Sequence, residues 1–294
     1  MDKRPPLGAT VMDTYIQSKT GQQDDCEDMI HLSEHVIAVI DGATSKTHDR
    51  WDGKTGGRKA AEIIDATFHQ MPPDCTARQA ADRLTSAIRA FYAENDFATQ
   101  VVANPARRLT ASVVAISLFQ QEIWSIGDCQ FMLGDQLFAV RKKVDEVIEE
   151  ARAFFLESEI VARQMTVEDL LKHDTGREFI QPFLERQHRF QNHPKAGSLS
   201  YAVVDGFPIP DAGVVVERIP DDVTQIVLAS DGYPFLRPSL SESEQMLAEL
   251  LQRDPLLFRE YKSTKGLVSG NVSFDDRAFV QVKLGRSTGM GGWE

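Results

Sequence analysis

The residues of this chain that could do chemistry are carboxylates placed at the ends of apolar runs. Asp41 closes Val36-Ile37-Ala38-Val39-Ile40, and Asp231 closes Ile226-Val227-Leu228-Ala229-Ser230; a glycine follows each, Gly42 and Gly232. Glu27-Asp28 precede Met29-Ile30, Gly127-Asp128 end Glu122 to Ile126, and Asp275-Asp276 open Arg277 to Val282. One Asp-Gly pair is ordinary turn chemistry. Acid at the ends of several separated strand-like runs is different, because hard cations such as Mg2+ and Mn2+ take several oxygen ligands, largely carboxylate, carbonyl and water. The set points to a divalent-cation site.

The runs themselves must position these groups. Val36 to Ile40 is β-branched residues and alanine, the pattern of a buried strand. If it pairs with the strand starting at Met29 as a hairpin, the two acidic ends meet on one sheet edge. Val11 to Gln17 reads as a first strand. Ser45 to Arg58 reads as a loop with Gly53, Gly56 and Gly57. Helices are predicted over 59–70 and from an N-cap at Thr76 to about Asn95, each with an apolar face. Residues 96–108 read as connection. Strands are expected at 109–119, 122–126, 129–133 and 136–140, a β-meander in mid-chain. Strands also read at 200–206 and 213–219. Ser239 to Glu260 reads as one or two helices. The stretch 141–193 departs from this rhythm: it is charged and repeatedly helical, with a cap at Thr166, and reads as an insertion or flap. Residues 1–284 thus read as one domain with no repeat or linker, and 285–294 as a disordered tail. The fold class is α+β, built on mostly antiparallel sheet.

With 294 residues, 42% hydrophobic and 26% charged, the chain has the balance of a globular protein. A net charge of -12 gives no general attraction to nucleic acid or to anionic membrane, so neither is an expected partner. Cys26, Cys75 and Cys129 are odd in number and form no CxxC pair, which fits reduced thiols. The stretch MDKRPPLGAT at the start has no apolar core of signal-peptide length, and no stretch approaches a membrane span. A cytoplasmic protein is expected.

Taken in order, Glu27-Asp28, Val-Ile-Ala-Val-Ile-Asp41-Gly42, Leu-Thr110-Ala-Ser-Val-Val, Ser-Ile-Gly127-Asp128, Leu-Ala-Ser-Asp231-Gly232 and Asp275-Asp276-Arg-Ala-Phe-Val resemble the motifs of the metal-dependent PPM (type 2C) protein phosphatases. The resemblance runs from about residue 10 to 284, with 141–193 poorly matched. It implies a four-layer α-β-β-α sandwich of two mostly antiparallel sheets flanked by helices. It also implies hydrolysis of phosphoserine or phosphothreonine by a water bridging two Mn2+ or Mg2+ ions, a phosphorylated protein substrate and a cognate kinase. Carried over by motif, Asp41 bridges the two ions and Gly42 offers its carbonyl. Asp231 and Asp275 bind the second ion, Glu27 and Asp28 act nearby, and Asp128 matches a third-metal position of some members. Asp275 is preferred to Asp276 as the first of the pair, just outside its strand.

Three positions depart from the family pattern. Ala43-Thr44-Ser45 replace the usual His or Met and glycines, so the histidine that acts as general acid in some members is missing, and His48 is the nearby residue that could substitute for it at the substrate. Gln23 stands where many members place a phosphate-binding arginine, and glutamine offers neither the charge nor the fork. Arg50, Arg58 or Arg277 could supply that charge, Arg277 being two residues from Asp275. Cys129-Gln130 replace Ser-Arg. The metal carboxylates are therefore retained while the phosphate-contacting residues are altered. A phosphatase for a small phosphorylated molecule, or an inactive regulatory or binding protein of this fold, stays open beside the protein phosphatase.

Overall fold

The structure, a computed structural model, describes residues 7–44, 46–47 and 49–285. His48 and the tail from 286 onward lie outside the described residues. Ten strands form two five-stranded antiparallel sheets. One has the order β1-β10-β9-β6-β7, from Gly8–Gln17 (β1), Arg277–Gly285 (β10), Gln225–Ala229 (β9), Gln130–Leu133 (β6) and Gln136–Phe138 (β7). The other runs β2-β3-β4-β5-β8, from Met29–Leu32 (β2), Val36–Gly42 (β3), Ala111–Ser117 (β4), Glu122–Ile126 (β5) and Val215–Arg218 (β8).

Side-chain alternation builds the layers. On β3, Ile37 and Val39 face β9 and β10 across the inter-sheet core, where they meet Ile226, Leu228, Val280 and Val282. Val36, Ala38 and Ile40 face the other way, onto α1 (Gly56–His69) and α2 (Ala77–Glu94). The same alternation carries Asp41 to the inter-sheet side. The second helix starts where the sequence signals it, Thr76 forming a capping box with Gln79 on α2; α1 starts at Gly56, three residues ahead of the expected 59, because Thr55, within the stretch read as loop, caps it. Beyond the other sheet, Met132, Val227, Ala229 and Phe279 pack on Tyr233, Leu236 and the start of α7 (Leu240–Arg253).

The hairpin expected from the acidic motif is present, with Met29 opposite Ile40. Three expectations are corrected. The mid-chain strands are not one meander: β4 and β5 belong to one sheet and β6 and β7 to the other, so the chain changes sheet at Gly127-Asp128, where Gly127 has φ +96°. Residues 200–206 make only isolated bridges; Asp205 and Asn192 hold that segment through side-chain bonds in place of a ladder. The connection at 96–108 contains α3 (Ala98–Ala103).

The insertion forms α4 (Lys143–Arg163), α5 (Val167–Lys172) and α6 (Thr175–Gln187). Arg152 of α4 is fully buried and ties the insertion to the segment after α7, donating to the carbonyls of Leu256 at 2.9 Å and Ser263 at 3.0 Å. It also pairs with Asp174 at 2.5 Å, and Asp174 caps the start of α6 by accepting from the Arg177 amide at 2.8 Å.

The two Asp-Gly glycines serve close approach, not turn geometry. A Cβ at Gly42 would lie 2.4 Å from the Gly57 carbonyl oxygen and 2.6 Å from that of Glu27; one at Gly232 would lie 2.1 Å from the Asp276 oxygen. Backbone atoms cannot step aside as a side-chain end can. Gly42→Ala is therefore expected to destabilise the metal-free protein by about 3 kcal/mol or more. Urea unfolding in EDTA measures this, and an unchanged midpoint would refute the packing argument.

Candidate metal and phosphate site

β3 delivers Asp41, the β5–β6 crossing delivers Asp128, and the end of β9 delivers Asp231. One oxygen from each lies within 4.8 Å of the others. Asp275, just ahead of β10, lines the same cavity of about 140 Å3. That cavity shares Asp128, Asp231, Lys142, Asp145, Glu149 and Tyr261 with a wider cleft of about 880 Å3, which forms its approach.

These carboxylates differ in how they are neutralised. Among the described residues neither Asp41 nor Asp231 has an ion-pair partner. Burial pushes the Asp41 carboxyl well above the usual range, and Asp231, Asp28 and Asp128 add to it. Burial, with Asp128 and Asp275 beside it, pushes Asp231 up to about 7. For Asp128, burial is outweighed by Lys142 Nζ at 2.6 Å and by the Ser112 hydroxyl, which donates at 2.6 Å, so its carboxyl lies below the usual range. Asp275 is likewise held low against burial, by Lys265, which pairs with it, and by Lys19 at 3.9 Å.

Glu27, Asp28 and Asp276 stand behind this front. Asp276 accepts from the backbone amides of Lys19 at 2.8 Å and Glu27 at 2.9 Å and does not line the cavity. This clamp leaves Asp275 as the member of the pair that faces the site. Glu27 accepts from Thr55 at 2.6 Å and Thr44 at 2.8 Å, which fixes the start of α1 against the Asp41 loop. Asp28 is buried, and its Oδ2 has no partner. Gly42 lines the cavity with Asp41.

Arg277 is placed elsewhere. Its guanidinium is buried against Glu244, donating at 2.7 and 2.8 Å, and it does not line the cavity. Glu244 lies on α7, a partner that sequence separation conceals. Arg58 donates to the Cys26 carbonyl at 3.0 Å and pairs with Glu62, while Arg50 is exposed. The cations that do line the cavity are Lys46, Lys142, Arg177 and Lys265, none of which the sequence reading singled out. Arg177 comes from α6 of the insertion, and its Nη1 donates to the Thr264 carbonyl at 2.7 Å. Lys46 donates to the Thr44 carbonyl at 2.8 Å, and burial, with Arg177 and Lys265 nearby, pushes its ammonium down to about 7. The one hint in the sequence was negative: the 141–193 stretch matched nothing in the motif series.

An all-oxygen donor set, two carboxylates raised by burial and by their acidic neighbours, and an Asp28 oxygen with no hydrogen-bond partner among the described residues suit hard divalent cations.

A family model described as Protein phosphatase 2C matches residues 13–259. Among solved structures, the serine/threonine phosphatase Stp1 from Staphylococcus aureus aligns over 97% of this chain and 100% of its own, at 12% identity and a TM-score of 0.50. The Mycobacterium tuberculosis serine/threonine phosphatase PstP/Ppp aligns over 96% and 100%, at 17% identity and a TM-score of 0.48. No curated protein matches the chain. The Stp1 alignment bears on the fold, and it agrees with the two flanked antiparallel sheets described above.

Proposed function

Because the chain belongs to the protein phosphatase 2C family, we propose that it is a metal-dependent phosphatase that hydrolyses phosphoserine or phosphothreonine in proteins, at the cavity of Asp41, Asp128, Asp231 and Asp275. The observation that carries this reading is the convergence of Asp41 and Asp231, two carboxylates without an ion-pair partner among the described residues, within 4.8 Å of Asp128. Such a group is unfavourable unless cations enter it.

On this reading Asp41, Asp231, Asp275 and the Gly42 carbonyl hold two Mn2+ or Mg2+ ions, with Asp28 close behind and Asp128 available to a third. When bound, these ions supply an acidified water as nucleophile and reverse the local charge, since six carboxylates and four cations otherwise leave the cavity with two formal negative charges that repel a phosphate dianion. The chain's own cations complete the work. Arg177 and Lys46 bind phosphate oxygens, the role Gln23 cannot fill. Lys46, with its ammonium near 7, donates the proton to the leaving alkoxide, a place for which the family histidine is missing at Ala43. Glu27 holds the α1 start and the Asp41 loop in register. The wider cleft beside the cavity, about 880 Å3, leaves room for residues flanking a phosphorylated side chain.

One observation favours a second reading. Lys142 and Lys265 already pair with Asp128 and Asp275. As permanent counter-ions they would suit a chain that binds a phosphorylated partner without cleaving it. Hydrolysis of p-nitrophenyl phosphate in EDTA, Mg2+ and Mn2+ separates the two. Turnover only with a divalent ion, followed by turnover of phosphoserine or phosphothreonine peptides, is expected. No turnover in any metal by folded protein would select the second reading.

A further inference from the structure

Away from the carboxylate cavity, two elements bring a different set of ligating groups together. His31 lies on β2, and Asp65 and His69 stand one turn apart on the α1 helix that packs against it. At that spacing both helical side chains project from one face. Asp65 stands between the two rings, its Oδ1 2.8 Å from His31 Nδ1 and its Oδ2 3.6 Å from His69 Nε2. One ligating atom from each residue lies within 4.8 Å of the other two. None of the three lines the phosphate cavity.

We propose that His31, Asp65 and His69 form a second metal site, one for a nitrogen-preferring transition ion such as Zn2+. The scale is right. Zn2+ binds imidazole nitrogen and carboxylate oxygen at about 2.0–2.2 Å, so tetrahedral neighbours sit about 3.3 Å apart. One ligand atom from each of the three residues lies within 4.8 Å of the other two, a spread that small side-chain shifts close to that spacing, and each carboxylate oxygen of Asp65 faces one of the rings. Two imidazoles and one carboxylate are also a donor set that Mg2+ does not favour, so the site and the all-oxygen cavity select different ions.

Exposure grades across the group. The His31 side chain is fully buried, Asp65 is 23% exposed and His69 is 59% exposed, which leaves a side open for entry and for a fourth ligand from water. His31 is ready to ligate in its neutral form, because burial favours the uncharged ring. Ligation through Nδ1 puts the ring proton on Nε2, which has no partner among the described residues, and replaces the 2.8 Å hydrogen bond between Nδ1 and Asp65 by bonds from both groups to the ion. The site joins the edge strand β2, which begins one residue after Asp28, to α1, whose capping residue Thr55 holds Glu27. A bound ion would fasten that helix to that strand.

The test uses Co2+ as a spectroscopic substitute for Zn2+, added to the whole protein in excess Mg2+ so that oxygen sites are occupied. Wild type is expected to show the strong visible bands of nitrogen-ligated, four-coordinate Co2+, bleached by one equivalent of Zn2+. His69→Ala, a change at an exposed position, is expected to lose the bands, to weaken Zn2+ binding about a hundredfold or more, and to retain metal-dependent p-nitrophenyl phosphate hydrolysis. His31→Gln should lose the bands as well; if that buried change unfolds the protein, His69→Ala decides alone. Absence of the bands in wild type, or equal Zn2+ affinity in His69→Ala, would overturn the site. The optical readout is independent of whether the chain is a phosphatase.

Discussion

Asp231→Asn is expected to abolish phosphomonoester hydrolysis and, in EDTA, to make the protein more stable. The two effects share one cause. Asp231 sits half-buried beside Asp41, Asp128 and Asp275 with no ion-pair partner among the described residues, and its carboxyl is pushed up to about 7 by burial first and by Asp128 and Asp275 second. Its folded value lies above the unfolded one, so its protonated form favours folding. That contribution is complete below the unfolded value of 3.8 and is lost as pH rises through about 7. At pH 8 without metal, the ionised wild type thus carries a penalty of ~4 kcal/mol at most. Asn carries no such penalty. Urea unfolding in EDTA should show the variant ahead at pH 8 and the gap closing towards pH 4. With Mn2+ the order should reverse, because the ion stabilises only the chain that can hold it. Activity is expected to fall by a factor on the order of 10³ or more, as for other groups that anchor charge stabilisation. A variant less stable than wild type in EDTA at pH 8 would show that Asp231 is not held against repulsion. Retained turnover would remove it from the site.

The legible part of this molecule and the illegible part divide by sequence distance. The strand bearing Asp41 was readable because its β-branched run is a local signal, and so was the cap at Thr76 on α2; the cap at Thr55 on α1 lay in a stretch read as loop. The order of the acidic motifs gave the two-sheet sandwich through resemblance, and the family match agrees. The sheet change at Gly127 was missed because β5 and β6 look like one more hairpin until their partners are known; the positive φ of one glycine decides it. Arg277 looked like a phosphate ligand because it is two residues from Asp275. Its real partner, Glu244, is 33 positions away on α7, and the pair is a property of packing alone. Of the pair that strand position had to choose between, Asp275 lines the cavity and Asp276 is clamped by the Lys19 and Glu27 amides; Asp275 as metal ligand is part of the proposal. Lys46, Lys142, Arg177 and Lys265 carry no motif, and three of them reach the cavity only because the insertion and the segment after α7 fold over it.

Arg177→Ala is expected to give the second-largest loss, and its form identifies the phosphate ligand. Arg177 lines the cavity from α6, with one nitrogen on the Thr264 carbonyl and, among the described residues, no hydrogen bond on the others. Its place is fixed from behind, since the fully buried Arg152 holds Asp174, and Asp174 caps the turn of α6 from which Arg177 projects. A charge-assisted fork to phosphate is worth roughly 1.5–3 kcal/mol, so kcat/KM should drop by about 10- to 100-fold. Because the substrate's dianion is present before and during reaction, much of that loss should appear in KM, and inorganic phosphate should become a weaker competitive inhibitor by a similar factor. Arg177→Lys keeps the charge but loses the fork and should fall between the two. The Thr264 bond could make the residue merely structural, and the phosphate inhibition constant separates the cases: a structural residue would lower kcat and the unfolding midpoint while leaving that constant unchanged. If Arg177→Ala binds phosphate as wild type does, the charge missing at Gln23 is supplied by Lys46 or by metal alone, and the insertion is a cover over the site without a hand in it.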